Sequence, residues 1–386
     1  MGNDEFITRR TFVTGTTAAL VLAGLGAMPG CATNASNDGA AQTAEGVGTK
    51  GYAVNAGVLE SLTVGAPGKD IKIACIVVAS QLGLYEEENL DVSFETIANL
   101  SDGITAVSEN RLDILPFGVI PTCTFVGQGV ENVVVIGGTI AEGSEVLALP
   151  ENKDAFKTPE DFKGKRIGYY PMETGHIVMQ GLIADAGIDN ESECEWIIQD
   201  SSASTMEGVR KGELDCGFVN SGYGYVAQKA GVEVALRVGD LSPDFPCCRQ
   251  TTNFQCIEDK PSALVKFEIA NLRAFDVLQN DRDKAIKAIM EYSGQDEAYV
   301  EAVIYGTDDY EAAMVVEMDP YSDAVCDFYE VMKQTNTIPA ESSYQMEDHV
   351  EVGIYRAALD EMIARGENPD WYVRIDEEFK THNVKA

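Results

Sequence analysis

Lys165-Arg166-Ile167-Gly168-Tyr169-Tyr170-Pro171 repeats, 103 residues on, the pattern of Leu62-Thr63-Val64-Gly65-Ala66-Pro67-Gly68. Each is a short apolar run, a glycine and a proline-containing turn. An apolar segment follows each, ending at Leu82-Gly83 in one case and at Ala186-Gly187-Ile188 in the other. Both read as strand, turn and helix. Further on, Ala106-Val107-Ser108-Glu109-Asn110-Arg111-Leu112-Asp113-Ile114 matches Gly208-Val209-Arg210-Lys211-Gly212-Glu213-Leu214-Asp215-Cys216 at an offset of 102. Each closes a helix and opens a strand through Leu-Asp. Two matches keeping nearly one offset imply a duplicated βαβαβ unit.

Working outward, strands are expected at 61–66, 91–97, 112–119 and 132–137 in the first unit. In the second they are expected at 165–169, 194–199, 214–220 and 232–237. Helices alternate with them, which favours mostly parallel sheets flanked by helices. Residues 71–79 are β-branched but are read as helix, because the matching segment after Pro171 has helical composition. The chain is expected to pass into the second lobe at 145–149 and to return at 251–257. From Lys260 the pattern is nearly all helix, including 263–279 and 281–292.

Lys+Arg total 28 against 63 Asp+Glu, a formal net charge of -35, which sets the chain against nucleic acid and anionic lipid surfaces. Hydrophobic residues make up 45%, enough for a sizeable core. Of nine cysteines, eight lie beyond residue 31: Cys75, Cys123, Cys194, Cys216, Cys247, Cys248, Cys256 and Cys326. Spacing alone assigns no pairs. The Cys247-Cys248 neighbourhood is open to a redox or a metal role, but the three histidines form no zinc spacing. No metal and no cofactor is expected.

The N-terminus reads as an address. Thr8-Arg9-Arg10-Thr11-Phe12-Val13 before an uncharged Ala/Gly/Leu-rich stretch resembles a twin-arginine export signal. Met28-Pro29-Gly30-Cys31 resembles a bacterial lipobox, with Cys31 as the lipidated residue. Residues 1–31 are therefore expected to be a signal peptide and 32–57 a flexible linker. Residues 58–145 and 251–386 would form lobe 1 with the helical C-terminal region, and 146–250 lobe 2. The Gly46-Val47-Gly48-Thr49-Lys50-Gly51 match to a dinucleotide fingerprint lacks a flanking strand and helix and carries no weight.

Gly83-Leu84-Tyr85-Glu86-Glu87-Glu88-Asn89-Leu90-Asp91-Val92 and Asp161-Phe162-Lys163-Gly164-Lys165-Arg166-Ile167-Gly168 resemble segments of the aliphatic-sulfonate, nitrate and taurine-binding group, which includes binders of thiamine pyrimidine precursors. Asn89 stands where that group usually has Gly, and Phe162 where it has Leu. The resemblance implies an α/β, two-lobed periplasmic-binding-protein fold of type 2. It also implies a solute-binding protein that delivers a small polar or anionic molecule to an ABC permease and its ATPase, from an extracytoplasmic position on the cell membrane. A ligand-presenting sensory protein is the alternative. A Cys-dependent enzyme on the same fold is a further one, but the absence of G-x-S-x-G, H-E-x-x-H and P-loop motifs reads as no enzyme.

In open α/β sheets, ligands sit beyond the carboxyl ends of the strands, where helix N-termini offer free amides. The repeat selects Gly68 and Lys69, then Val119 and Thr122, from the first lobe. From the second it selects Thr174, Gly175 and His176, then Asn220 and Tyr223. Arg249 and Lys69 are the candidate cations, and nearby Glu173 disfavours a strongly anionic solute. Metabolic labelling with a fatty acid should mark the wild-type chain and not Cys31→Ser; an unlabelled wild type removes the anchor.

Overall fold

The computed structural model describes residues 51–66 and 68–385. The segment expected to be a signal peptide, Cys31 and most of the expected linker lie outside the described residues.

The first lobe opens with β1 (Glu60–Ala66), α1 (Ala74–Gln81), β2 (Leu90–Thr96), α2 (Leu100–Ser108) and α3 (Val119–Gly127). Then come β3 (Val134–Ala141) and β4 (Ser144–Ala148). The second lobe continues with β5 (Arg166–Tyr169), α4 (Gly175–Asp185), β6 (Glu195–Ile198), α5 (Ser202–Arg210), β7 (Cys216–Asn220), α6 (Tyr223–Lys229) and β8 (Glu233–Arg237). After β9 (Pro246–Thr252) the chain is helical: α7 (Pro261–Asn280), α8 (Arg282–Ser293), α9 (Glu297–Tyr305), the two-residue β10 (Val315–Val316), α10 (Ser322–Gln334), α11 (Gly353–Arg365) and α12 (Pro369–His382).

The second-lobe sheet has the order β6-β5-β7-β4-β8. Parallel pairing joins β5 to β6 and to β7, while β4 runs antiparallel to β7 and β8. The first lobe has the same five places. β2 pairs parallel with β1, Val64 bridges in parallel to Ile114, Leu115 bridges antiparallel to Thr251, and β9 pairs antiparallel with β3. Parallel strands come from the βαβ units, and the antiparallel member of each sheet is the strand arriving from the other lobe.

The duplicated motifs do the same work twice. In each lobe a Cβ on the first-strand glycine would press on the Leu of Leu-Asp, Gly65 on Leu112 at 2.7 Å and Gly168 on Leu214 at 2.4 Å. The following Asp accepts a first-strand amide at 2.8 Å in both: Thr63 N–H to Asp113, and Arg166 N–H to Asp215. Each carboxylate also meets a cation, Lys260 on Asp113 and Arg166 on Asp215. The second helix of each unit is capped 102 residues apart by Asn99 and Ser201.

Asn89 has φ 54°, the left-handed region that Asn tolerates better than other side chains, so the usual glycine is replaceable there. Phe162 is fully buried and packs on Phe156 and Phe218.

Residues 71–79 are helical, a short 3-10 turn leading into α1. The strand expected at 112–119 is reduced to the bridges at Ile114 and Leu115. Pro116 has no amide to donate, and Gly118 at φ 30° turns the chain into α3. The return passage begins at Pro246 rather than Thr251. Every residue of β9 is buried, so it shows no alternation to read.

Asp113→Ala and Asp215→Ala should each lower the unfolding free energy by about 1–3 kcal/mol by stranding a strand amide. With no shared partner, the two losses should add to within about 0.5 kcal/mol in the double variant. Urea titration reads both; unchanged midpoints would separate the repeat from stability.

Candidate functional site

A cavity of about 490 Å³ opens at the carboxyl ends of the strands. The exit of β1 supplies Lys69, Asp70, Ile71 and Lys72, and the exit of β5 supplies Tyr170. Asp200 to Ala203 come from the start of α5, while Asn220, Ser221 and Tyr223 follow β7. Gln295 and Tyr299 enter from the C-terminal region, at the start of α9.

Lys72 is the ion-paired cation of this wall, beside Lys69. Its Nζ lies 3.4 Å from Asp70, whose other oxygen accepts the Lys72 amide at 2.9 Å. Burial alone would pull the ammonium down, but Asp70, Cys248, Tyr170 and Cys247 outweigh it and hold the pKa above the usual lysine value. Burial pushes the Tyr170 phenol up to about 12, with a hydrogen bond to Ser202 working against the rise. Tyr299 is likewise raised by burial. The wall therefore offers two ammonium groups, Lys69 and Lys72, two carboxylates, Asp70 and Asp200, protonated phenols and several small hydroxyl and amide groups.

Lys69, Asn220 and Tyr223 line the cavity, whereas several other expected contacts serve the protein itself. Gly68 accepts a hydrogen bond from the Tyr292 hydroxyl at 3.2 Å through its carbonyl. Thr122 is fully buried, its hydroxyl 2.7 Å from that of Thr251, so it ties α3 to β9 and does not reach a ligand. Val119 is core. Glu173, fully buried, accepts the amides of Gly175 at 2.7 Å and His176 at 2.8 Å. That carboxylate takes the helix-end amides the ligand was expected to use. Thr174 is buried, and its hydroxyl points to the Cys247 sulfur at 3.9 Å. The His176 ring packs on Tyr169, with centroids 4.5 Å apart.

Arg249 is corrected most sharply. It is fully buried, its Nη1 donates to the carbonyls of Ile140 and Cys248 at 2.9 Å each, and its guanidinium lies over Tyr321. It pins β9 to β3 and is no cleft cation. Lys72, Tyr170, Ser202 and Tyr299 were missed. Tyr170 lies within the second repeated strand-turn motif and Lys72 four residues past the first, so the repeat pointed to their neighbourhood. Nothing local marks Tyr299.

The loop after β7 is tied to β4 and to the C-terminal region. Glu145, on β4, accepts the amides of Gly222 at 3.0 Å and Gly224 at 2.6 Å, and also the Tyr310 hydroxyl. Tyr225 of α6 meets Tyr299 and Tyr310 edge-on, with centroids 5.7 Å apart in each pair. The C-terminal region thus grips the second lobe at the loop that lines the cavity.

Residues 70–285, more than half of the chain, match the family described as NMT1/THI5 like. The chain belongs to that family. Two curated relatives are named 4-amino-5-hydroxymethyl-2-methylpyrimidine phosphate synthase. The one from Candida albicans (strain WO-1) is 23% identical over 216 residues, 53% of this chain and 62% of the relative. The one from Legionella pneumophila is 26% identical over 175 residues, 45% of this chain and 54% of the relative. The matched stretch is therefore under two thirds of either relative's length.

Among solved structures, the nitrate-binding protein NrtA from Synechocystis PCC 6803 superposes with a TM-score of 0.63 at 14% identity, over 80% of this chain and 90% of that one. The sulphonate-binding protein SsuA from Escherichia coli gives 0.59 at 15%, over 75% and 91%. These likenesses establish the two-lobed binding-protein fold for this NMT1/THI5-like chain. The expectation that the chain is no enzyme is overturned, because both curated relatives are named as enzymes. The searched motifs mark hydrolases and nucleotide enzymes, so their absence does not bear on other chemistry.

Behind the cleft lie fully buried carboxylates. Burial raises Glu145 and Glu317 to about 7, and Glu268 and Asp319 to about 8. Their ordinary values are 4.5 for Glu and 3.8 for Asp. Between those values and the raised ones the fold holds more protons than the unfolded chain, so stability falls as pH rises through that window. The urea midpoint should drop from pH 5 to pH 8, and Glu268→Gln should flatten the slope. A flat wild-type profile contradicts the assignment.

Proposed function

We propose that the cleft binds a small polar solute bearing an acidic group, which the chain delivers to an ABC permease from an extracytoplasmic position. The observation that carries this reading is the Lys72 ammonium in the wall of a cavity at the strand exits. The solute's acidic group would face Lys72 and the start of α5, where the helix dipole adds about half a positive charge. Its body would pack on Tyr170, Tyr223 and Tyr299. Asp70 and Asp200 offset the charges of Lys69 and Lys72, which suits one acidic group and a polar remainder better than a multiply charged anion.

Delivery is supported by the binding-protein fold, and by SsuA and NrtA being named for the sulphonate and nitrate they bind. An export signal and the Cys31 anchor would place the chain outside the membrane. Among the described residues no helix is long and apolar enough to cross one. A second reading, formation of the pyrimidine phosphate for which the curated relatives are named, is favoured by those names. Mass-spectrometric search for that product in incubations of the purified chain addresses it directly.

A thermal-shift panel of short alkanesulfonates, nitrate and hydroxymethylpyrimidine tests the cleft. A true ligand at a hundred times its Kd adds about 2.7 kcal/mol of stability. A charge-assisted hydrogen bond is worth about 1.5–3 kcal/mol, so Lys72→Met should weaken the ligand found by about tenfold or more. Arg210→Met, which breaks a surface pair with Glu207, should leave affinity unchanged. Equal affinity in the Lys72 variant would reject the placement.

A further inference from the structure

Cys247 and Cys248 are neighbours on β9, and their sulfurs lie 3.8 Å apart in a hydrogen-bonded pair. The eight described cysteines are buried free thiols, and this pair differs from the others by its surroundings. Cys247 Sγ packs on Gly143 of the outgoing passage, where any Cβ would stand 2.2 Å from it. The sulfur also approaches the Gly143 carbonyl at 3.9 Å and receives the Thr174 hydroxyl at 3.9 Å. On the other side Lys72 and Tyr170 act on the pair electrostatically, and both line the ligand cavity. The dithiol therefore sits where the two passages between the lobes touch, within electrostatic reach of Lys72 in the cavity wall.

The pair is polarised. Cys248 is held below the usual thiol pKa by the hydrogen bond from Cys247, then by the Lys72 ammonium and the Gly118 amide, against the effect of burial. Cys247 is held above it. Elsewhere, burial raises Cys75, Cys123 and Cys216. A thiolate is the attacking species in disulfide exchange, and a neighbouring thiol is the natural resolving group.

We propose that Cys247 and Cys248 are a redox-active dithiol that reacts with a low-molecular-weight disulfide and closes a bond between adjacent residues at the hinge of the cleft. The Cys248 thiolate attacks one sulfur of the disulfide and releases the first small thiolate, leaving a mixed disulfide on Cys248. Cys247 then gives its proton to the departing small thiolate, and its sulfur attacks Cys248 and releases the second small thiolate. Two electrons pass from the protein to the small disulfide, which leaves as two thiols. Adjacent Cα atoms are about 3.8 Å apart, short of the about 4.4–6.8 Å that disulfides favour. The bond is therefore strained and readily reversed. Closing it removes both thiols, and with them the charge that a thiolate would exert on Lys72, so the oxidation state of the pair alters the electrostatics of the cleft wall.

The test uses the reduced full chain with glutathione disulfide as the probe, quenched with maleimide under denaturing conditions and mapped by peptide mass spectrometry. The peptide holding Cys247 and Cys248 should lose two hydrogens and carry no maleimide, while Cys75 and Cys216 remain labelled. Cys247→Ser should stop at a glutathione adduct on Cys248, and Lys72→Met should slow that adduct several-fold. Maleimide on both Cys247 and Cys248 of the wild type, or an adduct rate indifferent to Lys72, overturns the proposal. The wild-type map stands even if a variant misfolds.

Discussion

Glu142 stands at φ 52°, in the left-handed region, and turns the chain from β3 into β4. Its carboxylate accepts the Asp244 amide at 2.9 Å and lies 3.3 Å from the Arg237 guanidinium, while its own amide donates to the Phe245 carbonyl at 3.0 Å. The outgoing passage is thereby tied to the returning one where each changes lobe. Two strands in opposite directions can then enter two sheets at the same place in the order, and each lobe receives its antiparallel member from the other. Everything that makes a cleft follows, since the strand exits of both lobes must face one another across this double strand.

The double strand is also where polar groups are concentrated in the interior. Arg249, Gln250, Glu268, Glu317 and Asp319 are all buried beside β3 and β9. Gly138 could not carry a side chain there, because a Cβ would stand 2.5 Å from the carbonyls of Glu317 and Asp319. An isolated buried charge is costly, so such groups persist where hydrogen bonds and neighbouring charges hold them. Arg249 binds main-chain carbonyls, and the acids keep their protons to higher pH. The same strand carries Cys247 and Cys248 to within reach of Lys72's field, so structural polarity and cleft polarity meet on one element.

The C-terminal helices do more than cover the first lobe. Gly181 of α4 approaches Val331 of α10, where a Cβ would stand 2.9 Å away, and Tyr299 and Tyr310 press on Tyr225 of α6. Opening the lobes must part these contacts as well as bend the two strands. If a solute were held by both lobes, contacts made only in a closed form would offset that cost, which is the condition for a population shift.

Local pattern by itself determined the duplicated unit, the helices from Lys260 onward and the general position of the cleft. Gly65 with Leu112, Gly168 with Leu214, and the two Leu-Asp carboxylates each use short-range constraints repeated at one spacing, and repetition makes a weak signal legible. Lys69, Asn220 and Tyr223 were reachable because they follow repeated strands directly. Tertiary structure alone decided that Glu173 would occupy the amides of Gly175 and His176, that Arg249 would turn inward to Ile140, and that Tyr299 would complete the wall from some 200 residues past Asn99. The reason is physical. A strand or cap depends on neighbours in the chain, whereas the direction a polar side chain faces depends on which buried partner is near it in space, and no spacing in the sequence encodes that distance.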